Sequence, residues 1–172
     1  MRFSNPARLL KSALLALTAA LLLSACGFQL RGSATLPFET IFLEIPEGNV
    51  MGAELRRNLR AGTNVKVVEN KADAQAVLTR VSELRNKIIL SINSAGRVRE
   101  FRLRYVFNYS LIDKNGKDLA PPASLSLERD YAYSDNQVLA KEQEEVLLYR
   151  DMQNDLVQQI IRRLAATGRP GA

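Results

Sequence analysis

The chain of 172 residues carries 24 Lys and Arg against 18 Asp and Glu, a formal charge of +6, with 47% hydrophobic residues. That is the profile of one globular domain, not of a disordered chain. It has no His and a single Cys, which removes the commonest general base and metal ligand, internal disulfides and thiolate metal clusters, and argues against an enzyme.

Residues 1–25 read as a cleavable signal peptide. Arg2, Arg8 and Lys11 have no acidic partner, and the apolar run from Ala13 to Ala25 follows. These thirteen residues fall short of the ~20 that a membrane-spanning helix needs. The run ends in Leu23-Ser24-Ala25-Cys26, which resembles the bacterial lipobox. The resemblance implies that the Cys26 thiol receives a diacylglycerol, that the chain is cut before Cys26, and that the new amine is acylated. Several acyl chains give firm membrane attachment. Gly27 follows Cys26 in place of the Asp that commonly retains lipoproteins at the inner membrane, and resemblance to that sorting rule implies the periplasmic face of the outer membrane. Loss of residues 1–25 removes three basic groups and no acidic one, so the charge falls from +6 to +3. That is too weak for a nucleic-acid binder, and export removes nucleic acid as a partner.

The mature chain is expected to comprise a lipidated tether at 26–37, one domain at 38–166 and a flexible tail at 167–172. Thr40–Ile45 is strand-like and ends at Pro46, Gly48 and Asn49. Val50–Ala61 is helical, with Met51, Leu55 and Leu59 on one stripe, and Gly62 is placed to stop it in a left-handed conformation. Val65–Val68 forms a short strand. Residues 74–92 are β but show no single alternation, which leaves their register open. Ser94-Ala95-Gly96 marks a turn. Phe101, Leu103, Tyr105, Phe107, Tyr109 and Leu111 then alternate with Arg102, Arg104, Val106, Asn108 and Ser110, a strand with one bulky face and one polar face. Asn115-Gly116 signals a hairpin. The returning strand sets Leu125, Leu127, Tyr131 and Tyr133 against Ser124, Ser126, Glu128 and Asp130, after Pro121 and Pro122 at its start or edge. Asp135 or Asn136 is expected to cap a last helix whose apolar stripe runs Val138, Leu139, Val146, Tyr149, Met152, Leu156, Ile160 and Leu164. The fold class is α+β, a two-layer sandwich with two helices on one face of a mostly antiparallel or mixed sheet of about four strands.

No nucleophile elbow, phosphate loop or dinucleotide fingerprint is present, and no cofactor is expected beyond the lipid at Cys26. Tyr105, Tyr109, Tyr131 and Tyr133 share the apolar strand faces and read as core. One constellation remains. Arg97, Arg99, Arg102 and Arg104 run from the turn along one strand, with Arg85 and Lys87 on the preceding strand approaching the tip from its partner side. Arg97 and Arg99 are expected on the loop, Arg102 and Arg104 on the outer face of the sheet. Lys141 lies beside three glutamates at the start of the last helix. Guanidinium groups suit a bidentate grip on phosphate. A solvated strand face, and a surface lysine, are the alternatives.

The segment LLLSACGFQLRG, the pair Asp135-Asn136 ahead of Leu139-Ala140-Lys141, the run Gln159–Leu164 and the order of elements together resemble the lipopolysaccharide-assembly lipoprotein family LptE over residues 20–166. The resemblance implies a non-catalytic two-layer α/β sandwich that binds lipopolysaccharide. It also implies that the domain partners the β-barrel translocon LptD as a plug in its lumen. Family members can carry a basic residue at the hairpin tip, where this chain has Ser94-Ala95-Gly96 with its arginines just after. Arg97, Arg99 and Lys141 are therefore the candidate lipopolysaccharide contacts, and Arg102, Arg104 and Lys87 are secondary ones. A generic outer-membrane lipoprotein scaffold for another β-barrel machine and a periplasmic solute-binding lipoprotein stay open as other readings.

Overall fold

A computed structural model describes residues 34–167. The signal segment, Cys26, the tether as far as residue 33 and the tail from residue 168 lie outside the described residues. In chain order the elements are β1 (Thr40–Glu44), α1 (Val50–Gly62), β2 (Lys66–Val67), β3 (Ala76–Ile92), β4 (Val98–Ile112), β5 (Asp118–Ala132) and α2 (Val138–Ala166). The strands form one sheet in the order β2-β1-β3-β4-β5. β1 is parallel to both neighbours, and the β3–β4 and β4–β5 pairs are antiparallel. The sheet has five strands, close to the expected four or so, and the short strand expected at Val65–Val68 is the two-residue β2.

β1 buries Ile41 and Leu43 by simple alternation. Asn49 then caps α1, its side-chain oxygen accepting from the Gly52 backbone N–H at 2.8 Å. Met51, Leu55 and Leu59, four apart, bury one stripe of α1 against the sheet. Gly52 permits this approach, since a Cβ there would stand 2.7 Å from Ile45 Cγ2. The expected left-handed stop at Gly62 does not form, because Gly62 is not among the positive-φ residues. The Thr63 hydroxyl instead donates to the Leu59 carbonyl at 2.7 Å, satisfying an orphan group of the last turn from an extended cap residue. Ala34 bridges to Thr63 and Leu36 is buried, so the chain is tied into the fold from the first described residues.

The register of β3 explains why its sequence shows no clean period. It shifts between Arg80 and Ser82 and again between Ile89 and Ser91, so Val81 and Leu90 drop out of the pairing and the alternation changes phase twice. β4 has no such break opposite α1 and α2 and buries Leu103, Tyr105, Phe107, Tyr109 and Leu111 in sequence. Pro121 and Pro122 lie inside β5, an edge strand where a missing N–H is tolerated.

Neither Asp135 nor Asn136 caps α2. Both belong to a 3-10 turn, Asp135–Gln137, closed by Gln137 N–H donating to the Ser134 carbonyl at 3.0 Å, and α2 starts after it without a side-chain cap. Only the later part of α2 is core, with Met152, Leu156, Val157, Ile160, Ile161 and Leu164 buried. Val138, Leu139 and Val146, expected on the apolar stripe, are exposed, and so is Leu147. The register gives the sheet two ends. The root holds the β4–β5 turn, the start of β3 and the close of both helices. The tip holds the β3–β4 turn at residues 93–96 and the start of α2.

Candidate functional site

Between root and tip, one carboxylate ties the layers together. Glu83 of β3 accepts from the Tyr105 hydroxyl at 2.5 Å and from the Asn49 side chain at 2.8 Å, with Arg80 at 3.3 Å and Arg85 at 3.6 Å. Arg85 in turn donates to Tyr105 Oη and, across to α2, to Gln153. Burial alone would raise the Glu83 pKa, but hydrogen bonds from Tyr105 and Asn49 and the nearby arginines outweigh it and hold the group below its ordinary value. Arg85, expected to approach the tip, is consumed by this network.

The tip begins where the network ends. Gly96, at φ +75°, closes the turn, and the Asn93 side chain accepts from the backbone N–H groups of Ala95 and Arg97 at 3.0 and 2.9 Å. These bonds fix the backbone from which Arg97 and Arg99 project. Arg99 lies within β4, not on the loop, and its carbonyl accepts from Tyr133 N–H, which pins the chain leading into α2 beside it. Both arginines are exposed and form no ion pair among the described residues.

The other cations singled out from the sequence are all engaged. Lys87, on the helix-covered face of β3, pairs with Glu145 of α2 at 2.6 Å and stands 4.2 Å from the centre of the Phe101 ring, with the Tyr131 and Tyr133 rings also in range. Burial acts to lower its pKa, but bonds to Glu145 and Tyr131 prevail and set it above the usual lysine value. Lys141 pairs with Glu144 one helical turn on, at 2.7 Å. Arg102 and Arg104 point to the opposite face of the sheet, as their alternation requires. There Arg102 grips Asp130 with two bonds of 2.7 and 2.8 Å and Arg104 meets Glu128 at 3.1 Å. The Asp130 pKa is lowered and that of Arg102 raised by this bond. Pairing in β4–β5 sets Arg102 opposite Asp130 and Arg104 opposite Glu128, so the ladder follows from register.

Sequence reasoning missed the aromatic group Phe101, Tyr131 and Tyr133. Phe101 packs at 5.8 Å on Tyr131 and 5.1 Å on Tyr133, beneath Lys87. Matching parity across the hairpin was the available signal. Among the described residues no cluster of three metal-ligating side chains forms, and no helix is long and apolar enough to cross a membrane.

A family model described as lipopolysaccharide-assembly, LptE, matches residues 38–164. The chain is 27% identical over 149 residues to the LPS-assembly lipoprotein LptE of Photorhabdus laumondii, a match covering 85% of this chain and 80% of that protein. The solution structure of lipoprotein B from Nitrosomonas europaea is similar at a TM-score of 0.74 and 40% identity, over 84% of this chain and 94% of that one. Rare lipoprotein B from Shewanella oneidensis superposes with a TM-score of 0.65 at 27% identity, over 75% and 96% of the two chains.

Proposed function

Because the chain belongs to the LptE lipopolysaccharide-assembly family, we propose that its domain binds lipopolysaccharide at the tip while plugging the lumen of an LptD-like outer-membrane β-barrel, attached to the membrane through a lipid on Cys26. It acts in this reading as a binding partner, not as an enzyme. The observation that carries the ligand assignment is the contrast among the cations. Among the described residues Arg97 and Arg99 form no ion pair, on a backbone held by Asn93, whereas Arg102, Arg104, Lys87 and Lys141 already hold carboxylates. A polyanion therefore meets Arg97 and Arg99 without breaking an existing ion pair. Lys141 requires release from Glu144 and stands second. The ladder face, with its balanced charges, matches the polar interior of a barrel.

Titration of lipopolysaccharide against the wild type and the Arg97→Ala/Arg99→Ala protein tests the ligand assignment; equal affinity in a folded variant reassigns the pair to a solvated surface. Affinity purification from native outer membranes tests the barrel, and recovery of an unrelated barrel favours the scaffold reading. Cys26→Ala, followed by labelling with a tagged fatty acid, tests the anchor; equal labelling would remove it.

A further inference from the structure

A cavity of about 300 Å³ opens at the root, between β4, β5 and the last turn of α2. Its cause is local. Tyr109 and Leu111, two residues apart, pair with Ala123 and Ala120, three apart, so β5 bulges at Pro121–Pro122. The walls are Leu111, Ala120, Ala123 and Leu164, and small side chains at two of these four positions leave the space unfilled.

Two polar groups border this apolar space. Arg163 forms no ion pair and the Tyr109 hydroxyl no hydrogen bond among the described residues. Arg163 and Tyr109 line the same cavity; burial pushes the Tyr109 phenol up and the Arg163 charge pulls it the other way. An unpaired guanidinium beside a phenolic O–H, over an aliphatic trough, is complementary to a carboxylate on an alkyl chain: the guanidinium takes the two oxygens and the phenol donates to one of them. At about 300 Å³ the space lies at the lower limit for small-molecule sites and admits a single chain, not a lipid with several.

We propose that the root cavity binds a long-chain fatty carboxylate, with its chain between the β5 bulge and α2 and its head group on Arg163 and Tyr109. The cavity is separate from the tip, so loss of either site leaves the other intact.

The test uses the full chain in phosphatidylcholine nanodiscs and a palmitate analogue bearing a photoactivatable diazirine, with peptide mapping of the label. Saturable labelling of the peptides that contain Pro121–Ala123 and Leu164–Thr167, competed by palmitate and not by its methyl ester, is expected. Arg163→Gln should lower labelling at least about tenfold, the loss of the guanidinium's charge-assisted bonds to the carboxylate. Ala123→Leu, which fills the trough, should abolish labelling with the thermal melt unchanged. Label spread over the chain, label undiminished in both variants, or competition by the methyl ester overturns the proposal. Equal competition by lysophosphatidylglycerol overturns the carboxylate assignment in favour of a phosphate head group.

Discussion

The two halves of α2 have similar sequences and opposite surroundings. From Met152 onward the helix buries six apolar side chains against the sheet, while Leu139, Val146 and Leu147 in its first turns are exposed, Leu139 by 76%. β4 repeats the contrast along its length, with Tyr105 and Phe107 fully enclosed, Phe101 half-buried and Arg99 free. The same elements thus supply stability at the root and display side chains at the tip. Burial and binding are separated along one axis, so substitutions at the two ends should change different measurements.

Four experiments sharpen or break that separation. The largest effect is expected at the root, where Leu156→Ala leaves a cavity in a fully enclosed position and should cost about 2–5 kcal/mol. Leu139→Ala should change stability by no more than about 0.5 kcal/mol. Equal losses in denaturant unfolding would show that both halves of α2 carry core. Next comes the tip. Charge-assisted bonds contribute roughly 1.5–3 kcal/mol each and exposed pairs ~0–1, so Arg97→Ala/Arg99→Ala should weaken lipopolysaccharide binding between roughly a few-fold and several hundred-fold. The melting temperature should not move, and a large drop would mean that the tip is structural after all.

The third test lies at the boundary between the halves. The folded pKa of Glu83 is below its ordinary 4.5, so its contribution is complete above that value and is lost as pH falls through the folded pKa. Glu83→Gln should cost about 1–3 kcal/mol at neutral pH and flatten the decline in stability on acidification. An unchanged acid limb would place the titrating groups elsewhere. The smallest effect is expected from Arg102→Ala, whose partners are solvent-exposed carboxylates; thermal melts and lipopolysaccharide titration should both match the wild type. A loss of barrel co-purification in this variant alone would assign the ladder face to the partner.

The sequence was most informative where one rule acts alone. The alternation of β4 and the Asn-Gly turn that aligns it with β5 are both visible in the residues, and their register decides which arginines find carboxylates. β3 was unreadable because two of its three register shifts, at Val81 and Leu90, change the phase of its alternation, and nothing in those residue types marks a bulge. Helical spacing correctly gave the stripe of α2, but spacing does not say what covers it, so Leu139 and Val146 read the same as Leu156. Gly62 misled for a related reason: the adjacent Thr63 supplied the bond that a left-handed glycine would otherwise have supported. At the tip, the arginines could be named from sequence, but the engagement of Lys87 depends on Glu145, which is far away in the chain.

The strand order has a kinetic consequence. β3, β4 and β5 follow one another through two tight turns, at residues 93–96 and 113–117, so most of the sheet pairs without closing a long loop. β1 must instead find β3 across α1 and β2, pairing Ile41 with Ala76 in parallel. Contacts close in sequence form faster than distant ones. The three-stranded meander that carries the tip is therefore expected to form first, with the docking of β1 and α1 completing the root.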